Sequence, residues 1–112
     1  MARENVDIDI DFYKELSYVS GLKTCGALLF NVGMTARDDD SVLVGPGDMA
    51  KQFEQVFLRL QQITAAAGTD FEHMAKITIF VTDIDHAYAD SSQWRRHFSG
   101  CPVSSLVEVA DD

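Results

Sequence analysis

Apolar residues recur along this chain in two rhythms, and each rhythm predicts a different element. Between Asp48 and Gly68 the apolar positions Met49, Phe53, Val56, Phe57, Leu60, Ile63 and Ala67 are spaced by threes and fours. That is the stripe of a helix with one buried face. Lys51, Gln52, Gln55, Arg59, Gln61 and Gln62 fall on the other face and are expected in water. Asp48 can accept a hydrogen bond from a first-turn amide, and Gly68 can take the left-handed backbone that ends a helix cheaply. The second rhythm is short and β-like. Residues 16–22 alternate loosely, 27–34 read as a buried strand, and Lys23, Thr24, Cys25 and Gly26 between them suit a hairpin turn. Residues 75–82 are β-branched and aromatic, a mostly buried strand, and 103–110 alternate as another. A second helix, capped by Asp83 or Asp85, is expected to run to about Phe98 with Ala87, Tyr88, Trp94 and Phe98 inward, until Gly100 and Pro102 break it.

The predicted order is β-β-α-β-α-β. Such an order predicts an α+β fold, one mixed sheet with two helices on one face. The sheet's other face has no cover within one chain, which predicts self-association. Ferredoxin-like interaction modules share this order, so the order alone leaves the function class open.

Composition narrows the class. At 112 residues, 46% of them apolar and 24% charged, the chain has room for a single globular domain over 1–112. No apolar run approaches the roughly 20 residues that cross a bilayer. The N-terminus is acidic and has no apolar stretch of signal-peptide type, so a cytoplasmic protein is expected. With 9 basic against 18 acidic side chains, the formal charge of −9 repels phosphate backbones and anionic lipid. Neither nucleic acid nor a membrane is therefore an expected partner. Cys25 and Cys101 have no CxxC spacing, and His73, His86 and His97 are scattered. The run Asp38, Asp39, Asp40 lacks the spacing of a calcium loop and sits in turn-forming chain at 37–47, so it reads as a solvated acid cluster. No metal site is expected.

Several segments in order carry a more specific signal. Ser17-Tyr18-Val19-Ser20-Gly21 is followed by Gly26 through Gly33 (GALLFNVG), then by Gly47-Asp48 opening a helix that ends in Ala-Ala-Ala-Gly68. Residues 75–83 (AKITIFVTD), a helix ending in His97-Phe98, and Pro102 through Val109 (PVSSLVEV) complete the series. Over about 13–110 the chain resembles the YjgF/RidA family. The resemblance implies a chorismate-mutase-like fold, a homotrimer whose sheets form a central barrel, and small-molecule clefts between neighbouring subunits. It also implies hydrolysis of 2-imino acids or their enamine tautomers without a cofactor. Adding water to a C=N bond and expelling ammonia requires a cation for the substrate carboxylate, hydrogen bonds that place the imine, and a held water.

Carried over position by position, the resemblance makes Tyr18 the cleft tyrosine and Gly33 the cleft-wall glycine. Val32 stands where serine is frequent, and Ser91 where many members have a ligand-facing asparagine. The candidate ligand-binding set is completed by Ser104, Ser105 and Leu106; the catalytic residue is not assigned. The departure lies in this last group. Deaminating members carry an arginine two residues after the proline, and here that position is Ser104, with Leu106 where some members have cysteine. A serine offers one neutral hydrogen bond where a guanidinium offers a charged fork. The sequence also stops at Asp112, short of the glutamate-containing strand expected next. These departures favour a hydrolase of imine, enamine or related C–N compounds with a non-standard substrate; a non-catalytic trimer binding small metabolites or a partner is the alternative.

Overall fold

The computed structural model describes residues 3–15, 21–24, 28–89 and 103–110. The helix at the centre is α2, Met49–Ala67 in chain order. It begins where Asp48 accepts from Lys51 N at 3.1 Å, a cap worth about 1 kcal/mol, and ends at Gly68 with φ 81°. Ahead of it lie β1 (Arg3–Asn5), a single turn α1 (Asp11–Lys14), β2 (Gly21–Thr24) and β3 (Leu29–Asn31). After it come a 3-10 turn (Phe71–His73), β4 (Lys76–Val81), α3 (Ile84–Ala89) and β5 (Val103–Glu108). The expected succession is therefore present as β2, β3, α2, β4, α3, β5, in an α+β fold. No helix among the described residues is long and apolar enough to cross a membrane.

Two groups of strands carry the ladders. β1, β2 and β3 are antiparallel, with Arg3 opposite Thr24 and Lys23 opposite Leu29. β4 and β5 are parallel from Lys76↔Val103 to Val81↔Glu108. Parallel strands need a crossover, and α3 lies in the chain that makes it. No ladder among the described residues joins the two groups.

The buried face of α2 divides its work. Phe53, Phe57 and Leu60 join Val81 and Ala87 in one cluster, with Ile77, Ile79 and Leu106 packed against it. Helices α2 and α3 thus share one face of the β4–β5 pair. Further along α2, Ile63 joins Ile8 and Tyr13 in a second cluster, and Met34 packs on both. Gly21 permits this second contact: a Cβ there would lie 3.2 Å from Ile63 Cγ2 and 3.3 Å from Val6 Cβ.

Three expectations are corrected, and the N-terminal stretch adds elements that the sequence did not predict. Lys23 and Thr24 extend β2 rather than turn, because they pair with Leu29 and Arg3; residues 16–20 of the expected first strand lie outside the described residues. The N-terminal acidic stretch contains β1 and α1, and its Ile8, between them, and Tyr13, in α1, are buried with Ile63 of α2. Residues 27–34 are not a uniformly buried strand, since Leu28 and Phe30 are exposed; that face of β3 has no cover among the described residues. Tyr88 is 57% exposed because it lies beside, not beneath, the inward Ala87. The predicted cap Asp83 accepts from His86 N at 3.1 Å. The second helix beyond Ala89, with Trp94 and Phe98, lies outside the described residues.

Candidate functional site

Successive residues of a strand point to opposite faces, so the parallel register sorts the β5 candidates. Ser104 stands opposite Ile77 and Leu106 opposite Ile79, on the face covered by helices. Leu106 is half-buried there, while Ser104, nearer the strand's start, is exposed. Ser105 points the other way, where its hydroxyl accepts a hydrogen bond from Lys76 Nζ at 2.8 Å. The strand therefore separates the two serines onto different surfaces. Glu108, on the same face as Ser104, reaches the start of α3 and accepts from Ile84 N at 3.1 Å.

Val32 and Gly33 leave β3 at a half-buried and an exposed position. A Cβ on Gly33 would meet nothing within 4 Å among the described residues, so none of them requires a glycine there. The next residue, Met34, packs on the cluster that Leu106 also lines, which is how the two candidate groups share a foundation. Tyr18 and Ser91 lie outside the described residues. Among the described residues no group of three His, Cys, Asp or Glu side chains is gathered to hold a metal ion. An open depression of about 440 Å³ lies elsewhere, at the C-terminal end of α2, lined by Gln61, Thr64, Thr69, Asp70, Phe71 and Glu72 among others. None of the predicted site residues borders it.

Arg59, expected in solvent, is 1% exposed. Its guanidinium lies 3.8 Å from the Phe12 ring centroid, donates to Arg37 O at 3.1 Å, and forms an ion pair with Asp39 Oδ1 at 2.8 Å. Gln62 Oε1 accepts from Arg59 Nη1 at 3.3 Å and from the Tyr13 hydroxyl at 2.8 Å. Burial pushes the Tyr13 phenol above its ordinary value, against the opposing pull of Arg59. A sequence signal for this existed: Arg59 is three residues after Val56 and four before Ile63, at the border of the apolar stripe. Arg37, the other cation near the candidate site in sequence, folds back on its own loop and donates to Ser41 O at 2.9 Å.

The sequence model of the family described as endoribonuclease L-PSP matches residues 11–111. The chain belongs to that family, the YjgF/RidA family of the sequence resemblance. The Myxococcus xanthus protein DfrA is 32% identical over 86 residues, 76% of this chain and 66% of the relative. A rat protein named 2-iminobutanoate/2-iminopropanoate deaminase is 29% identical over 79 residues, 70% of this chain and 58% of the relative. The chain thus spans less than two-thirds of these relatives' lengths. A crystal structure of YyfA from Yersinia pestis, a conserved Rid-family protein of unknown function, superposes with TM-score 0.82 at 25% identity, covering 96% of this chain and 86% of the other. Membership rests on most of the chain's length, and the family's fold is the one described above.

Proposed function

We propose that this chain is a cytoplasmic, cofactor-independent hydrolase of imine, enamine or related C–N bonds. Its ligand lies in clefts between the subunits of a homotrimer, and its substrate is other than a simple 2-imino acid. Relatives named as 2-iminobutanoate/2-iminopropanoate deaminases support the reaction class. The observation that carries the substrate distinction is Ser104, exposed and neutral at the position where the resemblance places the carboxylate-holding arginine. Tyr18, Val32, Gly33, Ser91, Ser104 and Leu106 are the proposed lining; Ser105, expected among them, takes the other face of β5. A substrate without a carboxylate, or one recognised by neutral hydrogen bonds, fits such a site.

The same neutrality favours a second reading, a non-catalytic trimer that binds a small metabolite or a partner. Ammonia release from an imino acid generated in place by an amino-acid oxidase tests both, with the parent run beside Ser104→Arg. A charged fork is worth a few kcal/mol in transition-state binding, so the parent is expected to turn over 2-iminobutanoate at least about a hundredfold more slowly than the variant. Turnover by the parent equal to that of the variant rules out the substrate distinction. If neither protein releases ammonia from any imine offered, the non-catalytic reading stands.

A further inference from the structure

Two segments distant in sequence meet on one side chain. The first is the N-terminal segment, which presents Phe12 and Tyr13 from α1. The second is the hairpin 37–43, closed by the Arg37↔Leu43 bridge and held internally by Asp38, whose carboxylate accepts from the amides of Asp40 and Val42 at 2.9 and 3.0 Å. Arg59 lies between them. The Phe12 ring covers its guanidinium from one side, while Arg37 O and the Asp39 carboxylate take hydrogens from its edge. Gln62 adds a second strand to the junction by bridging Tyr13 and Arg59, and Gln55 Nε2 donates to the same Arg37 O at 2.8 Å.

From this arrangement we infer that Arg59 makes the N-terminal segment and the 37–43 hairpin one cooperative unit, so that release of either loosens the other. The physical reason is the cost of a half-dismantled junction. A guanidinium out of water keeps its charge tolerable only through its complete set of acceptors and the π face above it. When the hairpin lifts, Arg59 loses its anion and a carbonyl, and its best recourse is to swing toward water. That motion takes it away from Phe12. When α1 lifts, water reaches the guanidinium and the pair with Asp39 becomes an ordinary solvated one, worth little. The hairpin also bears exposed Val42 and Leu43, and it lies a few residues after Gly33. Anything that displaces this tip is therefore felt at the N-terminal segment.

Hydrogen exchange of the full chain tests the coupling through amides of known partners. Those of Tyr13 and Glu15 report α1, bonded to Ile10 O and Asp11 O; those of Asp38 and Val44 report the hairpin, bonded to Val42 O and Ala36 O. Asp39→Ala is expected to speed exchange at Tyr13 and Glu15 by about fivefold or more, and Phe12→Leu to do the same at Asp38 and Val44, since coupling is reciprocal. The Val109 amide, bonded to Val81 O across β4–β5, is expected to stay unchanged in both. Arg59→Lys, which keeps charge and loses the fork, is expected to loosen both segments. Effects confined to the substituted segment, or passing in one direction alone, overturn the inference, as does a uniform rise that includes Val109.

Discussion

Asp39 and Arg59 form an ion pair of 2.8 Å in which only one charge has left water: the Arg59 side chain is 1% exposed and that of Asp39 72%. The two halves of the pair are consequently not equivalent. Removing Arg59 returns Asp39 to solvent at little cost, whereas removing Asp39 leaves a buried cation with neutral acceptors only.

The expected outcome is an asymmetric pair of variants. Asp39→Ala should lower unfolding free energy by about 1–2 kcal/mol, despite replacing an exposed residue. Arg59→Met, which keeps the apolar stem over Phe12 and strands no charge, should cost about 1 kcal/mol or less. Urea unfolding at neutral pH measures both. Equal costs, or a larger one for Arg59→Met, would mean that packing and not charge governs the junction.

Phe57 offers a larger effect from simpler physics. It is 2% exposed, with its ring centroid 6.2 Å from those of both Phe53 and Phe71. Phe57→Ala should destabilise by about 3–5 kcal/mol through lost burial and the cavity left behind. Tyr88→Ala, at an exposed position of α3, should change stability by no more than about 0.5 kcal/mol. A melting temperature unmoved in Phe57→Ala would show the helix face to be misassigned.

Phe80 tests the association proposed above. It is 65% exposed on the uncovered face of β4, opposite Val107 on β5. Burying such a ring contributes about 1.5–3 kcal/mol per subunit. The parent is expected to sediment as a trimer, and Phe80→Asp as a folded monomer with the parent's circular dichroism. A parent that sediments as a monomer at micromolar concentration defeats the proposal.

The 3-10 turn carries a pH-dependent contact. A hydrogen bond of 2.8 Å donated by protonated His73 Nδ1 to the Asp70 carboxylate raises the His73 pKa above its ordinary 6.5 and holds the Asp70 carboxyl below 3.8. A raised histidine value stabilises the fold when the ring is protonated, so the contribution is complete below about 6.5 and lost as pH rises through the folded value. The lowered carboxyl value acts oppositely, its contribution being lost as pH falls below 3.8 toward the folded value. Both groups are fully exposed, and the readout is therefore titration rather than stability. The His73 ring signals in an NMR titration should show a midpoint above 6.5, returning toward it in Asp70→Asn; an unmoved midpoint in the variant would deny the contact in solution.

Much of the fold follows from local rules. Asp48 and Gly68 bound α2 because capping needs only the residues beside it, and Phe53, Phe57, Leu60 and Ile63 face inward because a 3.6-residue period places them there. β4 departs from the mostly buried strand expected at 75–82: Ile77, Ile79 and Val81 face inward, while its other face, Phe80 included, is exposed. The candidate site was less legible. Its β5 residues could be picked from the Pro102 motif, but which face each serine takes depends on the register with β4, and Ser105 meets Lys76 across 29 positions of sequence.

By itself the sequence determined the caps that bound α2, which helix face is apolar, the α+β order, and that position 104 lacks a cation. Tertiary structure alone decided that residues 3–5 pair with β2, that Lys23 and Thr24 belong to a strand, and that Leu28 and Phe30 stay uncovered among the described residues. Arg59 shows the reason most plainly. Periodicity says which way a side chain points, but not what arrives to meet it. Here an aromatic from residue 12 and a carboxylate from residue 39 made burial of a charge affordable, and neither is within reach of a rule that reads neighbours along the chain.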